Sequence, residues 1–276
     1  MVDIKYHYLD EGPDDAPALV MLHGNPTWSF YYRTLIPKLR KEYRVIVPDH
    51  IGCGLSDKPQ KYAYTLEQHI NNLECLLLHL NLRRKITLVL HDWGGAIGMG
   101  YATRHPETIR SFVIFNTSAF FVPRLPFRIR MCRIPWFGEL VVRGLNGFVR
   151  AAFLFATAQP RRLTHEVKAG YLAPYNSWRN RIAIHQFVRD IPMQPEHPTR
   201  TTLNQIDAEL SQFRNHPMLI LWGGRDFCFT AAHFLPEWRK RFPGAQVHVL
   251  EEAGHYVVED AHEHILPFMA AFLRKY

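Results

Sequence analysis

VLHDWGGAIG, residues 89–98, joins a run of apolar strand-forming residues to a pair of glycines that open a helical pattern. A strand, a sharp turn with an exposed nucleophile and a helix packed closely through small residues form a nucleophile elbow, usually written G-x-S-x-G. The sequence contains no G-x-S-x-G. Asp92 stands at the turn instead, so this stretch predicts a carboxylate at the position where a serine hydroxyl is usual.

Short apolar runs and helical patterns alternate along the chain on both sides of this stretch. The predicted strands are 18–23, 43–49, 86–92, 109–116, 218–222 and 246–250. The predicted helices are 29–40, 65–80, 94–104 and about 260–275. Strands that alternate with helices are typical of parallel neighbours joined by right-handed crossovers. The sequence therefore predicts an α/β protein with a mostly parallel, doubly wound sheet.

Residues 118–205 interrupt this alternation and predict an inserted helical cap over a core formed by residues 1–117 and 206–276. Between residues 117 and 205 the chain has 13 Arg and Lys against 4 Asp and Glu, so this segment accounts for the positive charge of the whole sequence. The segment is also rich in aromatic residues, but it has no RNA-binding signature and no zinc-finger spacing. We therefore expect it to cover an apolar pocket, dock on a partner or touch an anionic membrane surface, and not to bind nucleic acid.

Length and composition limit the class of protein. With 276 residues and 47% hydrophobic content, the chain can bury a sizeable core. It has no 18-residue apolar stretch and no secretory leader pattern, and its four cysteines lack C-x-x-C spacing. We expect a soluble, cytoplasmic protein with reduced thiols. No sequence pattern predicts a metal or a cofactor. His262 and His264 lie two apart on the last helix and do not share a face, so they do not predict a metal site.

Polar residues collect where the predicted strands end, which is the edge where open parallel sheets bind their ligands. Asp92, Asp226 and His255 follow three of these strands in the order nucleophile, acid, histidine. Taken singly, Asp92 could cap a helix, Asp226 could form a turn, and His255 is one of sixteen histidines. Their joint placement at three strand ends predicts a catalytic site.

A carboxylate at the elbow indicates a particular chemistry. It needs no base to deprotonate it and can displace a leaving group from a saturated carbon, which gives an alkyl-enzyme ester. A histidine oriented by an acid could then activate water to attack the carboxyl carbon of that ester. Backbone N–H groups would stabilise the resulting oxyanion.

Several stretches carry a family resemblance along nearly the whole chain. HGNPTWSFYYR (23–33), PDHIGCGLSDKP (48–59), HDWGGAIG (91–98) and EEAGHYVVED (251–260) resemble the haloalkane dehalogenase branch of the α/β-hydrolase superfamily. The insert segment GYLAPYNSWRNRIAIHQFVRDIP (170–192) is similar to dehalogenase-like subgroup III, which is associated with long-chain olefin biosynthesis. Members of that subgroup decarboxylate β-lactones to cis-alkenes and carbon dioxide.

The resemblance implies an α/β-hydrolase fold and a role for each site residue. Asp92 would be the nucleophile, His255 the histidine and Asp226 its acid partner. The backbone N–H groups of Trp93 and Asn25 would form the oxyanion hole. The side-chain N–H groups of Asn25 and Trp93 would hold the departing anion, which is a halide in the dehalogenases and a carboxylate when a β-lactone opens. The implied partners are an apolar small-molecule substrate and other enzymes of the olefin pathway.

Four functions stay open at this point. The first is decarboxylation of cis-3-alkyl-4-alkyl β-lactones, and the second is haloalkane hydrolysis to alcohol and halide. An epoxide hydrolase would need two cap tyrosines, for which Tyr171 and Tyr175 are available, but Asn25 stands where that class usually carries an aromatic residue. The fourth is a binding protein of this fold without catalysis.

The sequence departs from the family pattern in three places. Asn116 and Thr117 occupy the position after the sixth family strand where the commonest dehalogenase subgroup has a glutamate, so Asp226 must supply the acid. Leu90 stands two residues before the nucleophile, where a small residue is usual. The chain also begins inside the family's second strand, so we expect one sheet edge to lack a covering strand.

Overall fold

The computed structural model describes residues 3–82 and 85–276, and its sheet is built around strand β4. The seven strands are β1 (Tyr8–Glu11), β2 (Ala18–Leu22), β3 (Arg44–Pro48), β4 (Ile86–Asp92), β5 (Ile109–Thr117), β6 (Met218–Gly223) and β7 (Gln246–Leu250). They lie in the order β1-β3-β2-β4-β5-β6-β7. All pairs are parallel except β1 with β3. The predicted α/β-hydrolase fold, with its mostly parallel sheet, is confirmed.

The helices are α1 (Ile36–Leu39), α2 (Leu66–His79), α3 (Trp93–Arg104), α4 (Phe127–Met131), α5 (Phe137–Glu139), α6 (Gly147–Phe155), α7 (His165–Leu172), α8 (Ile182–Arg189), α9 (Pro198–Glu209), α10 (Ala231–Arg241) and α11 (Val257–Lys275). Short 3₁₀ turns lie at Ser29–Tyr32, Pro106–Thr108, Pro160–Arg162, Ala173–Tyr175, Arg179–Arg181 and Leu210–Phe213, and a π-helical turn lies at Leu140–Gly144. None of the helices within the described ranges is both long and apolar enough to span a membrane.

Burial on both faces of the sheet explains why its strands read as apolar runs. Every residue of β4 is buried. Leu88 and Leu90 pack into the cluster on one face, and Val89 packs into the cluster on the other, because successive strand residues point to opposite sides. A parallel sheet with helices on both faces needs this near-continuous hydrophobic pattern.

The six strands predicted from the sequence are all present, with ends that differ by at most two residues. Strand β1, which the apolar runs did not predict, lies where the resemblance places the family's second strand. It pairs antiparallel with β3 and forms the outermost strand of the described sheet. The predicted helix 29–40 is wrong: this stretch is a 3₁₀ turn followed by the short helix α1. Pro37 has no N–H to bond one turn back, so a continuous helix through it would lose a hydrogen bond.

The segment between β5 and β6 contains helices and turns, and it contributes no strand to the described sheet. The predicted boundary between residues 205 and 206 lies inside α9. This helix packs on α3 of the core, where a Cβ on Gly100 would come within 3.1 Å of the Ile206 side chain. A division before α9 would keep that helix whole.

Two leucines provide a test of this core. Leu88 in β4 is fully buried, whereas Leu78 on α2 is 62% exposed. We expect Leu88→Ala to lower the free energy of unfolding by about 2–5 kcal/mol, because it leaves a cavity between the central strands and α3. The matched control Leu78→Ala should change it by less than about 0.5 kcal/mol. Equal effects in urea denaturation would contradict the placement of β4 at the centre.

Candidate active site

The turn after β4 holds Asp92 in an uncommon backbone conformation. Its φ is 51° and its ψ is −126°, and α3 starts at the next residue. A positive φ is unfavourable for a residue with a side chain and persists only where the surrounding structure holds it. The Asp92 side chain does not cap α3, so the helix-cap interpretation of this residue is wrong. Asp92 therefore lies at a strained turn directly between β4 and α3.

Two glycines allow α3 to lie close enough to the sheet to support this turn. A Cβ on Gly94 would come within 2.3 Å of the Leu22 carbonyl oxygen in β2. A Cβ on Gly95 would come within 1.8 Å of the Thr117 hydroxyl in β5. Both distances are far below van der Waals contact, so the pair of glycines after Trp93 is required by the close approach of helix and strands.

Backbone N–H groups hold the carboxylate of Asp92. The Asn25 N–H donates to Asp92 Oδ1 at 2.7 Å. The Trp93 N–H lies close enough to this carboxylate to oppose a rise in its pKa. A Cβ on Gly24 would lie 2.1 Å from the same Oδ1, so only glycine fits before Asn25. The sequence predicts an oxyanion hole from the N–H groups of Asn25 and Trp93, and the structure places both near the carboxylate.

His255 lies between two carboxylates. Its Nδ1 donates to Asp226 Oδ2 at 2.8 Å, and its Nε2 is 3.6 Å from Asp92 Oδ2. The other oxygen of Asp226 accepts the backbone N–H groups of Cys228 at 2.6 Å and Phe229 at 3.0 Å, which fixes the carboxylate in the turn after β6. The three predicted catalytic side chains therefore meet at the carboxyl ends of β4, β6 and β7.

Burial and charge act in opposite directions on the two central groups. Burial raises the pKa of Asp92, while the charge of His255 and the N–H donors of Asn25 and Trp93 oppose the rise. Burial lowers the pKa of His255, but the charge and hydrogen bond of Asp226, with the charge of Asp92, outweigh it and place this pKa above its ordinary value. Each member of the pair thus favours the charged form of the other.

Buried histidines support the backbone around these side chains. His91 bonds through Nε2 to the His255 carbonyl oxygen at 2.9 Å and stacks on the Tyr31 ring. His23 accepts the His50 backbone N–H at 3.1 Å, and its other ring nitrogen contacts the Gly24 carbonyl oxygen. Burial lowers the pKa of His23 and His91, which favours the neutral form of both rings. The sequence-based interpretation that these two residues brace the backbone is confirmed.

Asn116 and Thr117, which replace the family's glutamate, also bind backbone. The Asn116 amide donates to the Gly223 carbonyl at 3.1 Å and accepts the Gly223 N–H at 2.7 Å, which joins the ends of β5 and β6. The Thr117 hydroxyl donates to the Asp92 carbonyl oxygen. Because neither residue reaches His255 by a hydrogen bond in the described structure, Asp226 supplies the acid.

A cavity of about 260 Å³ opens beside Asp92 and His255. Core residues at the strand ends form one side of it, and residues of the 118–205 segment form the other. The lining from that segment is mainly apolar and includes Leu125, Ile129, Phe148, Ala152, Val188 and Ile191. An apolar cavity with a few convergent polar groups is the usual form of a small-molecule site.

The side chains of Asn25 and Trp93 both line this cavity. The Trp93 indole packs against Phe187, and its N–H donates to no acceptor within residues 3–82 and 85–276. The Asn25 amide group donates one hydrogen to the Ile184 carbonyl at 3.1 Å, which leaves its second hydrogen for a ligand. The predicted pair of uncharged donors is therefore present beside the nucleophile.

Two cavity residues were not predicted from the sequence. Phe229 stacks on the His255 ring with 5.7 Å between centroids, and it follows Asp226 in the same turn. Tyr256 lines the cavity, and its buried hydroxyl has no hydrogen-bond partner among the described residues. Its position directly after His255 was the only signal in the sequence.

The two cap tyrosines that an epoxide hydrolase would need point elsewhere. Tyr171 is fully buried and its hydroxyl donates to Glu259. Tyr175 is also fully buried and donates to the Thr27 carbonyl oxygen at 3.1 Å. Neither tyrosine lines the cavity. The structure therefore does not provide the two ring-protonating hydroxyls that this chemistry requires.

Comparison with known proteins agrees with this geometry. A family model described as alpha/beta hydrolase fold matches residues 17–261. The chain belongs to the α/β-hydrolase fold family. It is 46% identical to the cis-3-alkyl-4-alkyloxetan-2-one decarboxylase of Shewanella oneidensis, covering 98% of this chain and 85% of that protein. It is 42% identical to the protein of the same name from Xanthomonas campestris pv. campestris, covering 99% of this chain and 93% of that protein.

Haloalkane dehalogenases are similar to the chain at lower identity. The protein of that name from Mycolicibacterium paratuberculosis is 32% identical, with 93% of this chain and 83% of that protein covered. The crystal structure of a haloalkane dehalogenase from Agrobacterium tumefaciens superposes with a TM-score of 0.87 at 29% identity, over 99% of this chain and 93% of that chain. The chain therefore has the same architecture as a haloalkane dehalogenase, and its sequence is more similar to the two decarboxylases.

The charge relation between His255 and Asp226 can be tested by titration. We expect the pKa of His255 to lie above its ordinary value, and Asp226→Asn to lower it, because the amide keeps the hydrogen-bond geometry and removes the charge. NMR titration of the imidazole measures both values. The control Asp207→Asn removes a carboxylate that pairs with Arg241, and it should leave the His255 titration unchanged. An unaltered pKa in the Asp226 variant would contradict this pairing.

Proposed function

We propose that this protein decarboxylates cis-3-alkyl-4-alkyl β-lactones to cis-alkenes and carbon dioxide, with Asp92 as the nucleophile. The observation that carries the proposal is the level of identity along nearly the whole chain. It is 46% and 42% with two proteins named as decarboxylases of this substrate class, against 32% with a haloalkane dehalogenase. The apolar cavity beside the Asp92 carboxylate supports the same chemistry.

The first step opens the ring. The Asn25 N–H holds Asp92 Oδ1, which leaves Oδ2 to attack the saturated ring carbon that is bonded to the ring oxygen. A bond forms from Oδ2 to that carbon with inversion, the carbon–oxygen bond of the ring breaks, and the lactone leaves a free carboxylate. The indole N–H of Trp93 and the amide of Asn25 would bind this carboxylate in the cavity.

The second step forms the alkene. The bond between the carboxylate and the neighbouring carbon, which is next to the carbon that carries the Asp92 ester, breaks. Its electron pair becomes the double bond between these two carbons, and carbon dioxide leaves. The same electrons expel Asp92 Oδ2, so the enzyme returns to its carboxylate without water. Inversion in the first step followed by anti elimination in the second preserves the cis relation of the two alkyl chains.

His255 has a different protonation state in the two candidate reactions. In the decarboxylation the imidazolium form, which Asp226 and Asp92 favour, stabilises the departing Asp92 carboxylate across the 3.6 Å between Nε2 and Oδ2. In haloalkane hydrolysis the neutral form must accept a proton from water. Acid pH would therefore stop hydrolysis when His255 protonates, while decarboxylation would continue until Asp92 itself loses its charge.

Haloalkane hydrolysis is the second candidate, and the geometry of His255 favours it. The imidazole is fixed by Asp226 and faces Asp92, as activation of a hydrolytic water requires. The TM-score of 0.87 with a haloalkane dehalogenase supports the same candidate.

We further propose a cytoplasmic location, which suits the four free cysteines.

Product analysis separates the two reactions. Purified protein incubated with a synthetic cis-dialkyl β-lactone should release alkene and carbon dioxide in equal amounts, and it should release little halide from primary bromoalkanes. Asp92→Ala should lower the rate by at least about 1,000-fold, because it removes the nucleophile. Gas chromatography and halide titration measure the products.

The control for this experiment is Asp207→Ala, which removes a carboxylate outside the cavity and should retain the wild-type rate. Release of halide and alcohol with no alkene would replace the decarboxylase proposal by the dehalogenase one. Product release by Asp92→Ala at the wild-type rate would contradict both proposals, and absence of product from either substrate with the wild-type protein would favour a binding protein.

Heavy-oxygen water tests the fate of the enzyme ester. In the decarboxylation Asp92 leaves with both of its own oxygens, so many turnovers on the β-lactone should put no label into the carboxylate. In hydrolysis water attacks the carboxyl carbon, so label must enter Asp92. Mass spectrometry of the peptide that contains Asp92 measures the exchange. Label acquired during alkene formation would show that a water step belongs to the cycle.

A further inference from the structure

Exposed apolar side chains are concentrated in one part of the molecule. Of the thirteen large apolar side chains exposed among the described residues, nine lie between residues 127 and 178. They are Phe127, Ile134, Trp136, Phe137, Leu140, Leu145, Leu154, Phe155 and Trp178. Single exposed apolar residues are normal, but a group of this size within one segment indicates an interaction surface.

Three of these apolar side chains lie near the cavity together with two arginines. We call it the rim patch: Phe127, Arg128, Arg130, Leu154 and Phe155. Arg128 and Phe155 line the cavity, and the Arg128 guanidinium lies 4.1 Å above the Phe155 ring, which joins α4 to the end of α6. Arg130 lies over the Phe127 ring at 5.4 Å. The patch thus adjoins the cavity directly.

The outer face of α6 is unusually apolar for a surface helix. In its sequence GFVRAAFLF the only charged residue is Arg150, and Val149 and Phe153 are buried. Leu154 on the outer side is nevertheless 73% exposed. Phe127 on α4 is 63% exposed. A helix that is apolar around most of its circumference needs a second apolar environment on its outer side.

The two arginines of the rim patch have no carboxylate partner among the described residues. Arg143 and Arg162 of the same segment pair with Glu139 and Glu263. In contrast, neither arginine of the rim patch forms an ion pair with a carboxylate in the described part of the chain. Residues 117–205 contain 13 Arg and Lys against 4 Asp and Glu. The patch therefore combines exposed apolar side chains with unpaired positive charge.

We propose that the rim patch binds the surface of an anionic lipid bilayer, with its apolar side chains inserted at the acyl boundary and its arginines on lipid phosphates. Short helices with basic and large apolar residues bind membranes in this way without spanning them. The binding does not depend on which reaction the site performs. Its purpose rests on the proposed function, because a dialkyl β-lactone dissolves in lipid and would enter the cavity from the bilayer.

Vesicle sedimentation tests the binding without any substrate. The full-length protein should sediment with vesicles of phosphatidylcholine that contain about a third phosphatidylglycerol, and much less with pure phosphatidylcholine, since each arginine near an anionic surface contributes about fivefold in partitioning. Arg128→Gln with Arg130→Gln should therefore weaken the binding roughly 30-fold. High salt should weaken it as well, because it screens exposed charges.

Matched variants separate the rim patch from general effects of charge and exposure. Leu154→Ser should reduce vesicle binding, whereas Leu78→Ser, which removes a leucine 62% exposed on α2, should not. Arg214→Gln with Arg239→Gln removes two exposed arginines of the core and should leave binding close to that of the wild type. Circular dichroism of each variant checks that it is folded.

Three results would overturn the proposal. The first is absence of sedimentation with anionic vesicles, and the second is equal loss of binding in the core and rim variants. The third is self-association or binding to another enzyme through the rim patch, detected by light scattering without lipid and abolished by Leu154→Ser, together with no vesicle binding. Retained decarboxylation of a water-dispersed short-chain β-lactone alongside any of these results would leave the proposed function intact.

Discussion

The carboxylate of Asp92 depends on a balance between burial and hydrogen bonding. Burial raises the pKa of this carboxyl group, and the charge of His255 with the backbone N–H groups of Asn25 and Trp93 opposes that rise. The arrangement requires a positive φ at Asp92. It also requires a glycine at position 24 and two glycines at the start of α3, because a Cβ at any of these three positions would collide with its neighbours. Much of the local structure at the centre of the sheet is needed to place one carboxylate beside an apolar cavity.

The same arrangement is compatible with two reactions, and they differ in the fate of the enzyme ester. A carboxylate attacks a saturated carbon in both cases, and uncharged N–H donors receive the departing anion in both cases. In hydrolysis the anion leaves the site and water must reach the ester. In decarboxylation the anion stays attached to the substrate and supplies the electrons that release the enzyme. The role of His255 changes accordingly from a base to a stabilising cation.

The segment between β5 and β6 has apolar side chains on two surfaces, one facing the cavity and one exposed. Its inner surface supplies apolar lining residues such as Ile129 and Phe148 to the cavity. Its outer surface exposes Phe127 and Leu154. An apolar substrate with two alkyl chains would then pass between two apolar environments with little exposure to water, which lowers the hydrophobic cost of entry.

The sequence by itself predicted six strands of the sheet and the candidate catalytic side chains Asp92, Asp226 and His255, because apolar runs and strand-end polar residues are local signals. It also predicted the elbow at Asp92 from the glycines that come after it. Only the tertiary structure decided that Asn116 and Thr117 bind backbone, that Tyr171 and Tyr175 point away from the cavity, and that Phe229 and Tyr256 line it. Those outcomes depend on contacts between residues far apart in the chain, for which neither periodicity nor composition carries information.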